Sequence, residues 1–139
     1  MRRTEAPITR LRRKEKLNIW EDTAADELMN AYCIVQGVDY IRNPELGITE
    51  SNRAGAANAE EVRRIDSIDK LREWQADLKQ TSPMIAVTAI LFGERSFGSV
   101  ERENRWRRGE AFGYFRAGLR HFAALRGNTP RGEKWRYNR

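Results

Sequence analysis

The sequence predicts an all-α protein, a small bundle of about five helices with flexible basic segments at both ends. Two observations favour this fold class. Apolar residues recur at spacings of three and four along several stretches, and capping residues precede these stretches while glycine or proline follows them. We therefore divide the 139 residues into a basic arm (1–16), a helical domain (17–125) and a basic tail (126–139).

The first predicted helix lies in the segment WEDTAADELMNAYCIVQG. Asp22 or Thr23 is placed to cap it, acidic side chains in its first turn favour the helix dipole, and Gly37 supplies a C-terminal stop. The residues before this segment mix charges with Pro7 and show no sustained period. We therefore expect the arm to be disordered until it binds a partner, and we expect the tail to be flexible as well.

A loop and a long helix are predicted next. Residues 38–56 contain Asn43-Pro44 and two glycines without a convincing period, which indicates a loop. The following helix covers about residues 57–80. Its apolar face is formed by Val62, Ile65, Ile68 or Asp69, Leu71, Trp74 and Leu78.

Three further helices are predicted between Ser82 and Leu125. Ser82-Pro83 opens the first, PMIAVTAILFG, which is apolar around most of its circumference and is expected to be the buried central helix of its unit. After Gly93, the segment SFGSVERENRW predicts a short helix. The third helix, RRGEAFGYFRAGLRHFAAL, has a strong apolar face. That face is formed by Phe112, Phe115, Leu119 and Phe122.

Charge is distributed unevenly along the chain, whose net charge is +6. Residues 1–16 hold seven basic and two acidic side chains, whereas residues 17–94 hold seven basic and fourteen acidic ones. Residues 95–125 and 126–139 each carry a net charge of +4. A phosphate backbone would repel the acidic block, but the basic C-terminal half and both ends can neutralise phosphates. The sequence therefore assigns DNA contact to the C-terminal half.

A buried helix, a short helix and a longer amphipathic helix in succession are typical of a helix-turn-helix unit, which we place at residues 82–125. The third helix of such a unit enters the major groove of DNA by its N-terminal turns, where arginine is the commonest reader of guanine. Small residues such as Gly113 and Ala117 would allow close approach to DNA, although close helix packing is an alternative reason for Gly113. The predicted DNA-binding residues are Arg105, Arg107, Arg108, Tyr114, Arg116 and Arg120.

The stretch SPMIAVTAILFGERSFGSVERENRWRRGEAFGYFRAGLRHFAAL resembles the helix-turn-helix at the end of region four of sigma factors. Together with the preceding EEVRRIDSIDKLREW, it is similar to a family of uncharacterised helix-turn-helix domains of alphaproteobacteria, their phages and gene transfer agents. The resemblance covers residues 60–127. It implies a phage-linked transcriptional regulator that binds promoter DNA and contacts RNA polymerase. The high aromatic content of the third helix departs from the family's pattern, so Tyr114 is either a base reader or a core residue.

The sequence gives little support to an enzyme or a metal protein. One cysteine, Cys33, and one histidine, His121, are too few for a zinc site or a Cys/His catalytic pair. We expect Cys33 to be a buried thiol and His121 to be partly exposed. The carboxylates of Glu101, Glu103 and Glu110 alternate with arginines on helix faces and do not converge on a pocket. No catalysis, metal or cofactor is therefore expected.

No stretch approaches the roughly 20 apolar residues that cross a bilayer, and the N-terminus lacks the apolar segment of a signal peptide. We therefore expect a cytoplasmic protein without a membrane partner. The alternative to a DNA-binding regulator is a protein-interaction module, such as an antirepressor or a small phage packaging or assembly subunit. Trp74 and the acidic N-terminal half would then form the contact surface, and both functions are compatible with a homodimer.

Overall fold

The structure is a computed structural model that describes residues 6–37 and 53–137, with the side chains of the second range described from residue 59 onward. This part of the chain contains six α-helices and no strand, which confirms the predicted all-α bundle. A π-helical turn, Thr88–Phe92, directly continues the fourth helix. The α-helices are α1 (Pro7–Arg13), α2 (Ile19–Gln36), α3 (Arg53–Leu78), α4 (Ser82–Val87), α5 (Phe97–Asn104) and α6 (Glu110–Leu125).

The bounds of α2 and α3 differ from the prediction. α3 is Arg53–Leu78, whereas the sequence predicted a helix over about residues 57–80. α2 begins at Ile19 because Asn18, not Asp22 or Thr23, is its N-cap. The Asn18 side chain accepts the backbone N–H of Glu21 at 2.8 Å, and Glu21 Oε1 accepts the backbone N–H of Asn18 at 3.0 Å, so the two form a capping box. Gly37 ends α2 in the left-handed conformation, as predicted. The part of the predicted loop at 38–52 lies outside the described residues.

The central helix of the bundle is α6, whereas the sequence predicted α4 as the buried central helix of the unit at residues 82–125. α6 packs against α2, α3, α4 and α5, and its side chains Phe115, Leu119 and Phe122 are buried. Trp74 of α3 and Leu28 of α2 are also fully buried against this core. Because α6 packs on so many sides, much of its circumference is unavailable to a ligand. Among the described helices, none combines the length and apolarity needed to cross a membrane.

Gly118 is the point at which α3, α4 and α6 meet. A methyl group added there would lie 2.5 Å from Val87 Cγ2 and 3.1 Å from the carbonyl oxygen of Pro83. The indole N–H of Trp74 donates to the carbonyl oxygen of Gly118 at 2.9 Å. Only glycine therefore allows α4 to approach α6 this closely.

The arm that the sequence predicted to be disordered contains α1. Pro7 occupies the first turn of this helix, Leu11 is buried, and the helix contacts the π-helical turn. Arg12 donates to Asp22 and to Asp26 of α2, the latter at 2.6 Å. One buried leucine and this ion-pair cluster thus hold a helix too short to be recognised by its period.

The basic tail also packs on the bundle as far as it is described. The ring of Trp135 lies edge-on to Trp20 of α2, with 6.2 Å between centroids. The backbone N–H of Tyr137 donates to Nδ1 of His121 at 2.8 Å, and His121 Nε2 lies 3.0 Å from Asp77 Oδ2. Nδ1 therefore carries no proton, and Nε2 donates to Asp77. His121 is only 3% exposed, so the prediction of a partly exposed histidine was wrong.

The π-helical turn contains one residue more per hydrogen-bonded turn than an α-helix. The backbone N–H of Gly93 donates to the carbonyl oxygen of Thr88, five residues earlier, at 2.9 Å. Just before this glycine, Phe92 stacks on Tyr32 of α2, with 4.3 Å between centroids and nearly parallel planes. The turn thereby joins the C-terminal half of the bundle to α2.

Candidate nucleic-acid interface

The turn between α5 and α6 has a well-defined backbone. Ser96 caps α5 by accepting the backbone N–H of Ser99 at 3.2 Å. Arg105, which ends α5, and Gly109, which precedes α6, both adopt the left-handed conformation, with φ of 59° and 92°. Between them the backbone N–H of Trp106 donates to the carbonyl oxygen of Glu101 at 2.8 Å.

Glu101 caps the start of α6. Its Oε2 atom accepts the backbone N–H of Gly109 at 2.6 Å and that of Ala111 at 3.1 Å, and the side chain is almost fully buried. A carboxylate at this position compensates the positive end of the helix dipole. Glu103 forms an ion pair with Arg95. Across the described ranges, no group of His, Cys, Asp and Glu is arranged to hold a metal ion.

The arginines of this turn lie on the surface. Arg105, Arg107 and Arg108 are exposed, as is Arg102 in the last turn of α5. None of the four forms an ion pair with any residue that the structure describes. Four guanidinium groups are therefore presented to solvent without an ion-pair partner among the carboxylates of residues 6–37 and 59–137.

The basic helix α1 lies beside the same turn. Arg10, Lys14 and Lys16 line a groove of about 610 Å³ to which Arg108 contributes from the α5–α6 turn. These three cations, of which Lys14 and Lys16 lie just after α1, have no ion-pair partner within the described chain either. The floor of this groove is mostly apolar and includes Leu11, Phe97 and Phe112. We use the name junction surface for one set of exposed cations: Arg10 of α1, Lys14 and Lys16 just after α1, Arg102 of α5, and Arg105, Arg107 and Arg108 of the turn.

Arg12 of α1, in contrast, is paired with carboxylates. Partial burial lowers the pKa of its guanidinium, but hydrogen bonds and attraction from Asp22 and Asp26 outweigh burial, and the pKa is raised above its ordinary value. Its charge is already compensated by two carboxylates. Arg12 is therefore not part of the junction surface.

The remaining predicted arginines, Arg116 and Arg120, are held by a buried carboxylate. Both donate through Nε to Oε2 of Glu21 at 2.8 Å, and Glu21 is completely buried. The guanidinium of Arg120 also lies 5.0 Å from the centre of the Trp135 ring, and that of Arg116 lies 5.6 Å from the Phe112 ring. These two arginines thus tie α6 to the start of α2.

Tyr114 packs against Trp106 of the turn. The two rings are tilted by 56° with 4.8 Å between centroids, and Tyr114 is partly buried against the core. Its ring thus helps to fix the conformation of the α5–α6 turn.

A second basic groove lies between α6 and the tail. It encloses about 400 Å³, and we call it the tail groove. The sequence predicted a flexible basic tail and did not indicate that it packs beside α6. Nor did it identify Glu21 as the partner of two arginines. The groove is lined by Gly113, Arg116, Ala117, Arg120, Lys134, Trp135, Arg136 and Tyr137.

The six predicted site residues therefore fall into separate environments. Arg105, Arg107 and Arg108 lie together on the junction surface, whereas Arg116 and Arg120 border the tail groove. The predicted interface is thus divided between two basic surfaces.

No family model matches this chain, and neither a curated protein nor a solved structure matches it.

Proposed function

We propose that this protein binds duplex DNA through the junction surface and acts as a transcriptional regulator. The observation that carries the proposal is that three cations of residues 10–16 line one groove together with Arg108 of the distant α5–α6 turn, and none of the four has an ion-pair partner within the described residues. Exposed, uncompensated cations on a fixed surface can replace the counterions of a phosphate backbone. The resemblance to sigma-like domains of phages adds promoter DNA and RNA polymerase as the expected partners.

The packing of α6 favours contact with DNA through its N-terminal end. Its first turn follows the exposed residues Arg107 and Arg108, whereas its later turns are covered by α2 and the tail. A helix-turn-helix presents the N-terminal turns of its third helix to the major groove. Within this proposal, Arg107 and Arg108 contact bases or phosphates, and the cations of residues 10–16 contact the adjacent DNA backbone.

The test is the double variant Arg107→Ala/Arg108→Ala. We expect it to abolish measurable binding of a fluorescent duplex in an anisotropy titration without changing the helical circular dichroism spectrum. The matched control is Arg63→Ala/Arg64→Ala, which removes two consecutive exposed arginines from the acidic half. The control should bind like the unmodified protein. Equal affinities of the two variants would rule out the junction surface as the DNA site.

A protein-interaction module is the second candidate function, and exposed apolar residues on α3 favour it. Val62 is 67% exposed and Ile65 is 53% exposed, although both belong to the apolar face that the sequence predicted. Salt separates the two functions. Affinity for duplex DNA should fall steeply between low and moderate salt, whereas affinity through an apolar protein interface should change little.

A further inference from the structure

One wall of the tail groove is formed by a residue without a side chain, Gly113. Gly113 is exposed, and a methyl group added there would meet no atom within 4 Å. Close helix packing therefore does not explain this glycine, although packing does explain Gly118. A glycine inside a helix costs about 0.5–1 kcal/mol relative to alanine. Because Gly113 has no side chain, the backbone of α6 is accessible to a ligand in the groove.

Arg116 and Arg120 are held in fixed positions beside this wall. Glu21 engages only their Nε atoms, and the terminal nitrogens of both side chains make no hydrogen bond to any described residue. One buried carboxylate neutralises one of the two positive charges. The pair therefore retains a net positive charge and free N–H donors in a preset arrangement, which suits the recognition of a phosphate.

The tail adds two further cations on the opposite side of the groove. Lys134 is exposed and has no ion-pair partner in the described chain. Arg136 is 60% exposed and lies 3.8 Å from Asp77 and 4.0 Å from Glu73, at the limit of an ion pair. Contacts this long and this exposed compensate little charge.

Aromatic rings complete the groove. Trp135 is held by the guanidinium of Arg120, by the edge of Trp20, and by a hydrogen bond from its indole N–H to Glu133 at 2.6 Å. Tyr137 is 37% exposed at the same groove. Arginines beside aromatic rings are the combination with which proteins hold unpaired nucleotides, because every base has a face that can stack.

We propose that the tail groove binds one unpaired nucleotide, with its phosphate at Arg116 and Arg120 and its base against Trp135 and Tyr137. A space of about 400 Å³ suits a small ligand but not a duplex. The nucleotide is either free in solution or part of a single-stranded nucleic acid, and both share the phosphate and base that the groove recognises. This site is separate from the junction surface and does not depend on its function.

The experiment uses the full chain carrying Arg107→Ala/Arg108→Ala, so that duplex binding does not interfere. Labelled single-stranded oligothymidine is titrated by anisotropy, while thymidine monophosphate and inorganic phosphate are titrated by tryptophan fluorescence. The test variants are Lys134→Ala/Arg136→Ala and, separately, Trp135→Leu. The matched control is Arg72→Ala/Arg131→Ala, which removes the same charge at exposed positions outside the groove.

We expect oligothymidine to bind the background protein, each test variant to weaken binding by about tenfold, and the control to leave it unchanged. Binding of thymidine monophosphate with the same dependence would identify a free nucleotide as the ligand, and binding of the oligonucleotide alone would identify a strand. The proposal is overturned if neither ligand binds, if Lys134→Ala/Arg136→Ala matches the control, or if inorganic phosphate binds as tightly as the nucleotide. Failure of the duplex test would leave these outcomes unchanged.

Discussion

The turn before α6 and the middle of α6 carry arginines in opposite environments. In the turn, Arg107 and Arg108 are exposed and have no ion-pair partner within the described residues. Further along, Arg116 and Arg120 share the buried carboxylate of Glu21 and lie against aromatic rings. An arginine on the outer face of a predicted recognition helix can therefore be a structural residue. Its role depends on a partner that is distant in the sequence.

The largest expected effect is the loss of stability when the arginines within α6 lose their shared carboxylate. Glu21→Gln leaves Arg116 and Arg120 side by side without a counterion, and we expect the free energy of unfolding to fall by about 2–3 kcal/mol. This is less than the roughly 3–5 kcal/mol of fully buried pairs, because both arginines are partly exposed. Chemical denaturation measures the change. The control Glu61→Gln, at an exposed position on α3, should alter stability by less than about 0.5 kcal/mol.

The glycines of α6 provide the next contrast. Gly118→Ala should destabilise the protein by about 1–3 kcal/mol, because the new methyl group overlaps Val87. Gly113→Ala should instead stabilise it by about 0.5–1 kcal/mol, since nothing lies within 4 Å and alanine favours helix. Thermal unfolding of the two variants measures both signs. Destabilisation by Gly113→Ala would show that this part of α6 is packed and not open.

The contribution of α1 to the junction surface should be seen in salt dependence. Arg10→Ala/Lys14→Ala/Lys16→Ala should lower duplex affinity and reduce the slope of log affinity against log salt by about 2–3, while sequence preference is kept. These point variants keep Leu11 and Arg12, whereas deletion of residues 1–16 would also remove their contacts with the bundle. Titrations of two duplexes at several salt concentrations test this. Lost preference with intact affinity would contradict a positioning role for α1.

The smallest effect is expected at Arg12. Its ion pairs with Asp22 and Asp26 lie at the surface, where such pairs contribute about 0–1 kcal/mol. Arg12→Ala should therefore reduce the free energy of unfolding by less than about 1 kcal/mol, well below the effect of Glu21→Gln. Urea denaturation of both variants under one buffer condition provides the comparison. Similar losses would mean that α1 holds the bundle more strongly than its single buried leucine indicates.

The sequence predicted the all-α fold and the succession α4, α5 and α6, because apolar residues recur there with a helical period and glycine or proline separates the segments. It missed α1, in which Leu11 is the only buried residue, since one position makes no period. It placed Asp22 or Thr23 as the cap of α2 because a capping box with Glu21 is less visible than an acidic first turn. Local signals thus sufficed only where several apolar positions recur along the helix.

The candidate site was predicted only in part, for a physical reason. Exposure of the arginines in the α5–α6 turn follows from local polarity, and the sequence identified them. The environment of Arg116 and Arg120 depends on Glu21, and the ordered tail depends on contacts of Trp135 and Tyr137 with Trp20 and His121. Such contacts between distant segments leave no periodic pattern.

The π-helical turn Thr88–Phe92 accommodates an extra residue within one helical rod. Deleting a residue there, such as Ala89, would let the turn revert to an ordinary α-helix, with Phe92 still opposite Tyr32. An equivalent deletion inside α6 would rotate every later side chain by about 100° and turn Phe122 away from the core. The helix that ends at Phe92 is therefore a position where the length of this chain can vary without loss of register.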